Sequence, residues 1–476
     1  MNAAPASFYR RTADALADAR LRGAVGRVTA SVRRSRQAAL DRLPDADAWR
    51  DHARQLRAHT IAHLDRYLDE FAAAIEARGG HVFYAPTAED AIAYVTSLVR
   101  SRNLKTAVKS KSMISEEIDL NARLEAAGVR VVETDLGEYV VQLADDHPSH
   151  IVMPIIHKTR GEIADLFRAK AGATDADLTD VASMTQFARR TLRPEFLRAD
   201  LGVSGVNFGV ASTGTLCVCT NEGNGRLVTT LPRVHVAMMG IERLVPTPED
   251  LTVMLQILGR SATGQNLTVY TNLINGPRPA DETDGPSELH VVLVDNGRSR
   301  VLGSELAEIL YCIRCGACLN ACPVYQEIGG HAYGSVYPGP FGSVLTPALR
   351  GLETFHDLPH ASSLCGACRE ACPVRIDIPR MLLALRADDA KAHHAPWWIA
   401  TGLRVYRWVA TSPRRFQTAG RLTAKLMRTT SRDGWIRWLP PPLSGWTSTR
   451  DFPVMAVESF QERWARRTKP PEQNPS

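Results

Sequence analysis

No uninterrupted apolar run in this 476-residue sequence approaches the roughly 20 residues that cross a bilayer, which excludes a helical membrane protein. The stretch from Met1 to Arg11 carries arginines but no apolar segment after them, and Asp14 and Asp18 argue against a transit peptide. A cytoplasmic protein is expected. Neither G-x-G-x-x-G nor G-x4-G-K-[ST] occurs, so the sequence offers no dinucleotide or P-loop fingerprint. A strong excess of charge is also missing: the net charge is +6, with 23% charged and 44% hydrophobic residues, an ordinary globular composition. No nucleic-acid recognition motif accompanies that mild basicity, and nucleic acid is not an expected partner. The length is enough for about three domains.

Cysteine is scarce, at nine residues, but seven of the nine fall in two runs. The first is Cys312-Ile-Arg-Cys315-Gly-Ala-Cys318-Leu-Asn-Ala-Cys322-Pro323, and the second is Cys365-Gly-Ala-Cys368-Arg-Glu-Ala-Cys372-Pro373. In a C-x2-C-x2-C-x3-C-P run three thiolates converge on one cubane cluster, and the proline-flanked cysteine ligates the other. The expected sets are therefore Cys312, Cys315, Cys318 and Cys372 for one [4Fe-4S] cluster, and Cys322, Cys365 and Cys368 for a second. The second run has Ser362 where its first cysteine belongs, so that cluster takes a non-cysteine ligand or exposes an iron. Zinc is the weaker reading, because one tetrahedral ion cannot use so many closely spaced thiolates. Disulfides fit poorly without a signal for an oxidising compartment. Two clusters at this spacing suit electron transfer better than a purely structural role.

Residues 10–78 place alanine, leucine and arginine at helical spacing, interrupted only by Pro44. Ile61, Leu64, Leu68, Phe71 and Ile75 mark one packing face, and Gly79-Gly80 stops the helix. From His81 short apolar runs alternate with helical segments, the pattern of an α/β domain with a largely parallel sheet. Strands are expected at 81–84, 106–108, 129–133, 205–211, 215–219, 267–271 and 289–294, with helices at 88–100 and 118–127 and a loop at 275–286. Cys217 and Cys219 face one way on a strand and read as small core residues. The expected organisation is a helical segment 1–80, an α/β domain 81–300, a cluster domain 301–390 and an extension 391–476.

Two segments of the α/β domain suit chemistry. Lys109-Ser110-Lys111-Ser112-Met113 lies between a strand and a helix and is placed to receive an anion. Ser212-Thr213-Gly214-Thr215, with Asn221 to Arg226, reads as a substrate or phosphate loop, or equally as turns that use glycine for backbone freedom. His147, His150 and His157 read as packing or surface histidines.

From Trp397 the chain holds seven of its eight tryptophans, interleaved with arginines such as Arg404 and Arg407. This basic aromatic stretch suits an anionic membrane surface or an acidic partner, or else a helical extension folded onto the cluster domain. Residues from Thr468 to Ser476 read as a disordered end.

Glu133 to Tyr139, Pro148 to Val152, Asn221 to Val228, Val294 to Ser299 and Gly329 to Ser335 together resemble the bacterial lactate utilization protein B family, over nearly the whole chain. The resemblance implies a sugar-phosphate isomerase/CoA-transferase-like α/β domain followed by an all-α ferredoxin-type domain with two [4Fe-4S] clusters. It further implies a role in oxidising L-lactate to pyruvate with two companion proteins. The family pattern also carries Ser-Ser-Leu before the second run, as Ser362-Ser363-Leu364 does here. Two functions follow: an electron-transfer subunit delivering to an unidentified acceptor, or an enzyme acting on a small carboxylate or acyl/phosphosugar substrate through the α/β domain. Lactate oxidation moves two electrons and a cubane moves one, so a hydride acceptor is expected on a partner.

Overall fold

The computed structural model describes residues 7–392, 397–441, 443–456 and 458–468. The expected disordered end, beyond Thr468, and the first six residues lie outside the described residues. The chain divides between Asp389 and Ala390 into two compact units.

The first unit begins with four helices, Phe8–Ala17, Ala19–Asp41, Ala46–Ala62 and Leu64–Glu76. Asp18 caps the second by accepting from the amides of Arg20 and Leu21, and Pro44 falls in the break before the third. The ten strands that follow are β1 (His81–Ala85), β2 (Thr106–Lys109), β3 (Arg130–Glu133), β4 (Leu201–Gly205), β5 (Phe208–Val210), β6 (Thr215–Thr220), β7 (Val234–Gly240), β8 (Leu244–Val245), β9 (Tyr270–Ile274) and β10 (Glu288–Val294). Six form a wholly parallel sheet in the order β1-β10-β7-β4-β2-β3. A smaller mixed sheet runs β8-β5-β6-β9.

Both faces of the parallel sheet are covered. Val234, Val236 and Met238 pack with Val95 and Leu124 on one side, while Ala237 and Met239 pack with Phe71 and Ile75 on the other. Every residue of β7 is buried. Such a strand has no polar alternation to read, which is why β7 and β4 escape the sequence pattern. The expected strand at 205–211 is instead the end of β4 and the whole of β5, in different sheets. Asn207 makes the break, with its amide donating to Cys217 and its side chain accepting from Cys219. The expected strand at 267–271 begins later, as β9, because the Val269 amide bonds the Asn221 side chain. The expected helix 118–127 is Leu120–Ala126, and Asp119, whose φ is +54°, separates it from a short preceding helix, Met113–Glu117.

The smaller sheet joins the two halves of the unit. Phe208, Val210 and Cys217 share one core with Met254 and Ile257 of helix Pro248–Ala262 and with Leu310, Ile313, Phe341 and Leu382 further along the chain. Among the described residues 307–391, every regular element is helical. The second unit contains helices Trp397–Ala410, Pro413–Thr430 and Phe460–Thr468 and a strand pair at 435–436 and 452–453. No helix among the described residues is long and apolar enough to cross a membrane.

Arg57, on the third helix, is 1% exposed and donates to the carbonyls of Glu242, Leu244, Leu310 and Tyr311. Burial, then the neighbouring Arg243, lowers its pKa to about 9, still charged at neutral pH. Arg57→Ala strips four buried carbonyls of their donor and should cost on the order of 3 kcal/mol. Arg54→Ala, at a half-exposed position, should cost under about 1 kcal/mol. Urea unfolding midpoints check this, and equal losses would refute it.

His235 of β7 is fully buried, with Nε2 against the Ser204 hydroxyl at 2.8 Å. Burial, reinforced by His290, lowers its pKa from 6.5 to about 3. A depressed folded pKa means that stability is complete above 6.5 and drains as the pH falls toward 3. Below 6.5 the stability of the first unit should therefore fall with a slope contribution approaching about 1.4 kcal/mol per pH unit from this residue. His235→Asn should remove that slope in urea titrations between pH 7 and 5, and an unchanged slope would contradict it.

Candidate metal centre

The two cysteine runs fold alike. Each has a left-handed non-glycine residue (Arg314, φ +60°; Leu364, φ +55°), then cysteine, then a left-handed glycine (Gly316, Gly366), then a five-residue helix. The helices Ala317–Ala321 and Ala367–Ala371 pack together. Gly316 is required by its backbone angle and by its neighbour, since a Cβ there would lie 3.0 Å from His150 Cε1.

Cys312, Cys315, Cys318 and Cys372 line one small apolar cavity, closed by Ile151, Phe341, Val374 and Ile378. Burial, then Cys372 and Cys312, raises the Cys315 thiol to about 12; burial, then Cys312, Cys315, Cys372 and Cys368, raises Cys318 well above its ordinary range. Burial, then Cys322, raises Cys368 to about 12, and Cys365 adds to the rise at both Cys322 and Cys368. Four of the seven thiols, from both runs, thus share one cavity, while Cys322 and Cys365 act on Cys368 and Cys368 also acts on Cys318. Soft thiol donors converging on an apolar, water-poor space fit an iron-sulfur cluster. Cys365 is exposed, whereas Cys368 and Cys372 are buried. Its thiol is lowered by the Ala367 amide and then the Ser363 hydroxyl. Ser362 Oγ accepts from the Leu364 amide at 3.1 Å.

Arginines from the amino-terminal helices brace the cysteine loops. Arg36 donates to the Ala371 carbonyl at 2.8 Å, Arg50 to Glu370 and Cys372, and Arg54 to Arg375. Arg243, beyond the end of β7, donates to the Cys312 carbonyl at 2.7 Å. Arg36, Arg50 and Arg54 lie in the segment whose helical spacing reads as packing, and Arg243 belongs to no motif. The one available signal was Arg50, Arg54 and Arg57 at i, i+4 and i+7 on one helix face.

The anion-binding expectation divides. Lys109 is fully buried and held by Glu116 and Glu133, each at 2.5 Å, so it serves the fold. Ser110, Lys111 and Ser112 line a pocket of about 360 Å³ at the carboxyl ends of β2, β3, β4 and β7. Asn221, Glu222 and Asn224 line it too, whereas Ser212 to Thr215 do not. That turn packs on the fourth helix, where a Cβ on Gly214 would lie 2.8 Å from the Ile75 amide. Cys217 is fully buried, and Cys219 is partly exposed at the pocket wall. His150 is buried, its Nδ1 accepting from the amides of Val152 and Met153. His157 meets Asp146 at 3.1 Å, which also pairs with Lys158 at 2.7 Å and lies 3.8 Å from His331.

Residues 68–294 match the LUD domain and residues 308–376 the 4Fe-4S dicluster domain. The chain is 44% identical to lactate utilization protein B of Shouchella clausii (strain KSM-K16), covering 98% of both chains. It is 44% identical to that of Bacillus pumilus (97% of this chain, 98% of the relative) and 45% identical to that of Macrococcus caseolyticus (97% and 98%). A solved DUF162 family protein from Deinococcus radiodurans aligns with 48% of this chain and 98% of its own, at 13% identity and a TM-score of 0.26, too distant to inform the fold. Thioldonor geometry, domain matches and near-full-length identity agree: the chain belongs to the lactate utilization protein B family.

Proposed function

We propose that this protein is the electron-transfer iron-sulfur component of a system that oxidises L-lactate to pyruvate, working with companion lactate-utilization proteins in the cytoplasm. The observation that carries this reading is that Cys312, Cys315, Cys318 and Cys372, drawn from both runs, line one small apolar cavity. The assigned ligands are Cys312, Cys315, Cys318 and Cys372 for the first [4Fe-4S] cluster, and Cys322, Cys365 and Cys368 for the second. When bound, the clusters supply one-electron transfer.

The chain's own residues set the conditions. The amides of Arg314 and Tyr325 point at the sulfurs of Cys312 and Cys322, at 3.4 and 3.5 Å, which favours the more negative, reduced state. Ile151, Phe341 and Val374 keep water from the first set, while exposed Cys365 brings the second to the surface. A cluster held by the second set would therefore lie closer to an external electron partner. The finer fold assignment, a sugar-phosphate isomerase/CoA-transferase-like domain and an all-α ferredoxin-type domain, draws on the parallel sheet and on the helical residues 307–391. We assign the domains as 1–80, 81–300, 301–390 and 391–476. In the second unit, Trp397, Leu403, Tyr406 and Trp408 are exposed on one arginine-bearing helix, which suits peripheral contact with an anionic membrane. The alternative, an enzyme acting on a small carboxylate, is favoured by the polar pocket at the strand ends.

Anaerobically prepared protein should hold about eight iron atoms per chain. Cys372→Ala should abolish the same EPR signal as Cys312→Ala, and Cys322→Ala the same as Cys368→Ala. Pairing of Cys372 with Cys365 instead would overturn the crossed ligation. The isolated holoprotein should oxidise no lactate until a companion is added; turnover by the pure chain would favour the enzyme reading.

A further inference from the structure

The pocket at the sheet's carboxyl edge contains more donors than the chain itself uses. Ser110 is 3% exposed and its hydroxyl has no hydrogen-bond partner. Lys111 Nζ and Arg314 Nη1 are likewise buried without a hydrogen-bond partner. All three residues line the same pocket. The nearest carboxylate to Lys111, on Glu138, stands 4.0 Å away, beyond hydrogen-bond reach. Buried donors on Ser110 and Arg314 that lack an acceptor, and a Lys111 ammonium that has only long-range carboxylates, are costly unless an acceptor arrives.

The neighbouring charges narrow what that acceptor is. Glu242 is occupied by Arg298 at 2.8 Å and by the other arm of Arg314 at 2.9 Å, so it cannot also answer Nη1 at full strength. Asp135, Glu222, Asn207 and Asn224 line the same wall, and Asp135 and Glu222 both act on the Lys111 charge. The carboxylates of Asp135 and Glu222 repel a second negative group and accept from a hydroxyl, while the side-chain amides of Asn207 and Asn224 can donate to a hydroxyl or keto oxygen. A volume of about 360 Å³ holds a small acid with its water, and lies at the low end of ligand sites. The carboxyl edge of a parallel sheet is also where such folds place ligands.

We propose that this pocket binds a small carboxylate bearing a hydroxyl or keto group at C2, with Ser110, Lys111 and Arg314 receiving the carboxylate. The site is built between the two halves of the unit: Ser110 and Lys111 follow β2, while Arg314 lies between Cys312 and Cys315. Its ligand therefore touches a side chain whose own amide points at the Cys312 sulfur. Burial pushes the Lys111 ammonium toward the neutral amine, and an entering carboxylate supplies the counter-charge. The grip stands on the donors alone; the choice of L-lactate and pyruvate as probes rests on the proposed function.

The test is calorimetric titration of the anaerobic holoprotein with L-lactate, pyruvate, propionate and inorganic phosphate. Saturable binding of L-lactate or pyruvate is expected, with propionate weaker by about tenfold for want of the C2 oxygen. Ser110→Ala removes an oxygen that bonds nothing in the chain, so its fold should be intact and its Kd raised about tenfold. Lys111→Gln should raise it at least as much. Binding of neither acid, equal binding of propionate, tighter binding of phosphate, or an unchanged Kd in the folded Ser110→Ala protein would each overturn the proposal. Acid binding without lactate-dependent cluster reduction in the presence of the companions would overturn the proposed function and leave the pocket standing. Companion-dependent reduction with an unliganded pocket would do the reverse.

Discussion

A buried chain of alternating charges, Glu117–Arg298–Glu242–Arg314, holds the cysteine loop to the parallel sheet. Arg298 is 1% exposed and grips both oxygens of Glu117, at 2.9 and 2.7 Å, while its Nε donates to Glu242. Glu242 in turn receives Arg314 from between Cys312 and Cys315. Burial opposes ionisation of Glu242, but Arg298, Arg314 and Arg243 outweigh it and hold its carboxyl at about 2. Charges removed from water this completely are a net cost unless nearly every hydrogen bond is made. Here the carboxylates are almost fully satisfied, and Tyr337 and Asn296 complete Glu117. The network contributes position more than stability: it fixes which edge of the sheet the first set of cysteines faces.

That placement makes the pocket and the first set of cysteines neighbours. Ile151 lines both the pocket and the thiol cavity, and Arg314 presents its side chain to one and its amide to the other. A change of charge in the pocket is felt at the sulfurs through a medium with little water, where Coulomb interactions are only weakly screened. The second set of cysteines opens to solvent at Cys365. The two sets are thus unequal, one coupled to the α/β half and one to the exterior.

What could be read from the sequence was what is local in it. Cysteine spacing is local, and so are the alternation of strands with helices and the glycine that stops the fourth helix. β7 was not legible because burial on both faces removes the period-two signal. β5 was merged with β4 because only the Asn207 side chain, bonded across to Cys219, separates them. Lys109 and Lys111 look equivalent in the chain. Lys109 ends β2 and is held between Glu116 and Glu133, whereas Lys111 lies beyond the strand's end and lines the pocket. Asp146 and His331 are 185 residues apart by number, and nothing in the spacing brings them together.

The bracing arginines were illegible for a different reason. Their partners are backbone carbonyls, which every residue has, so no residue type marks the other end of the bond. Yet Arg36, Arg50, Arg54 and Arg57 all reach across more than a hundred and eighty residues to do this work. Carbonyls of a tight cysteine loop point outward when its amides point at sulfur, and a guanidinium with five donors can answer several at once. The amino-terminal helices are therefore part of the metal centre rather than a preface to it. Their cations also lie beside thiols that become anionic on ligation, so the same residues that satisfy the loop's carbonyls offset the charge that iron binding creates there.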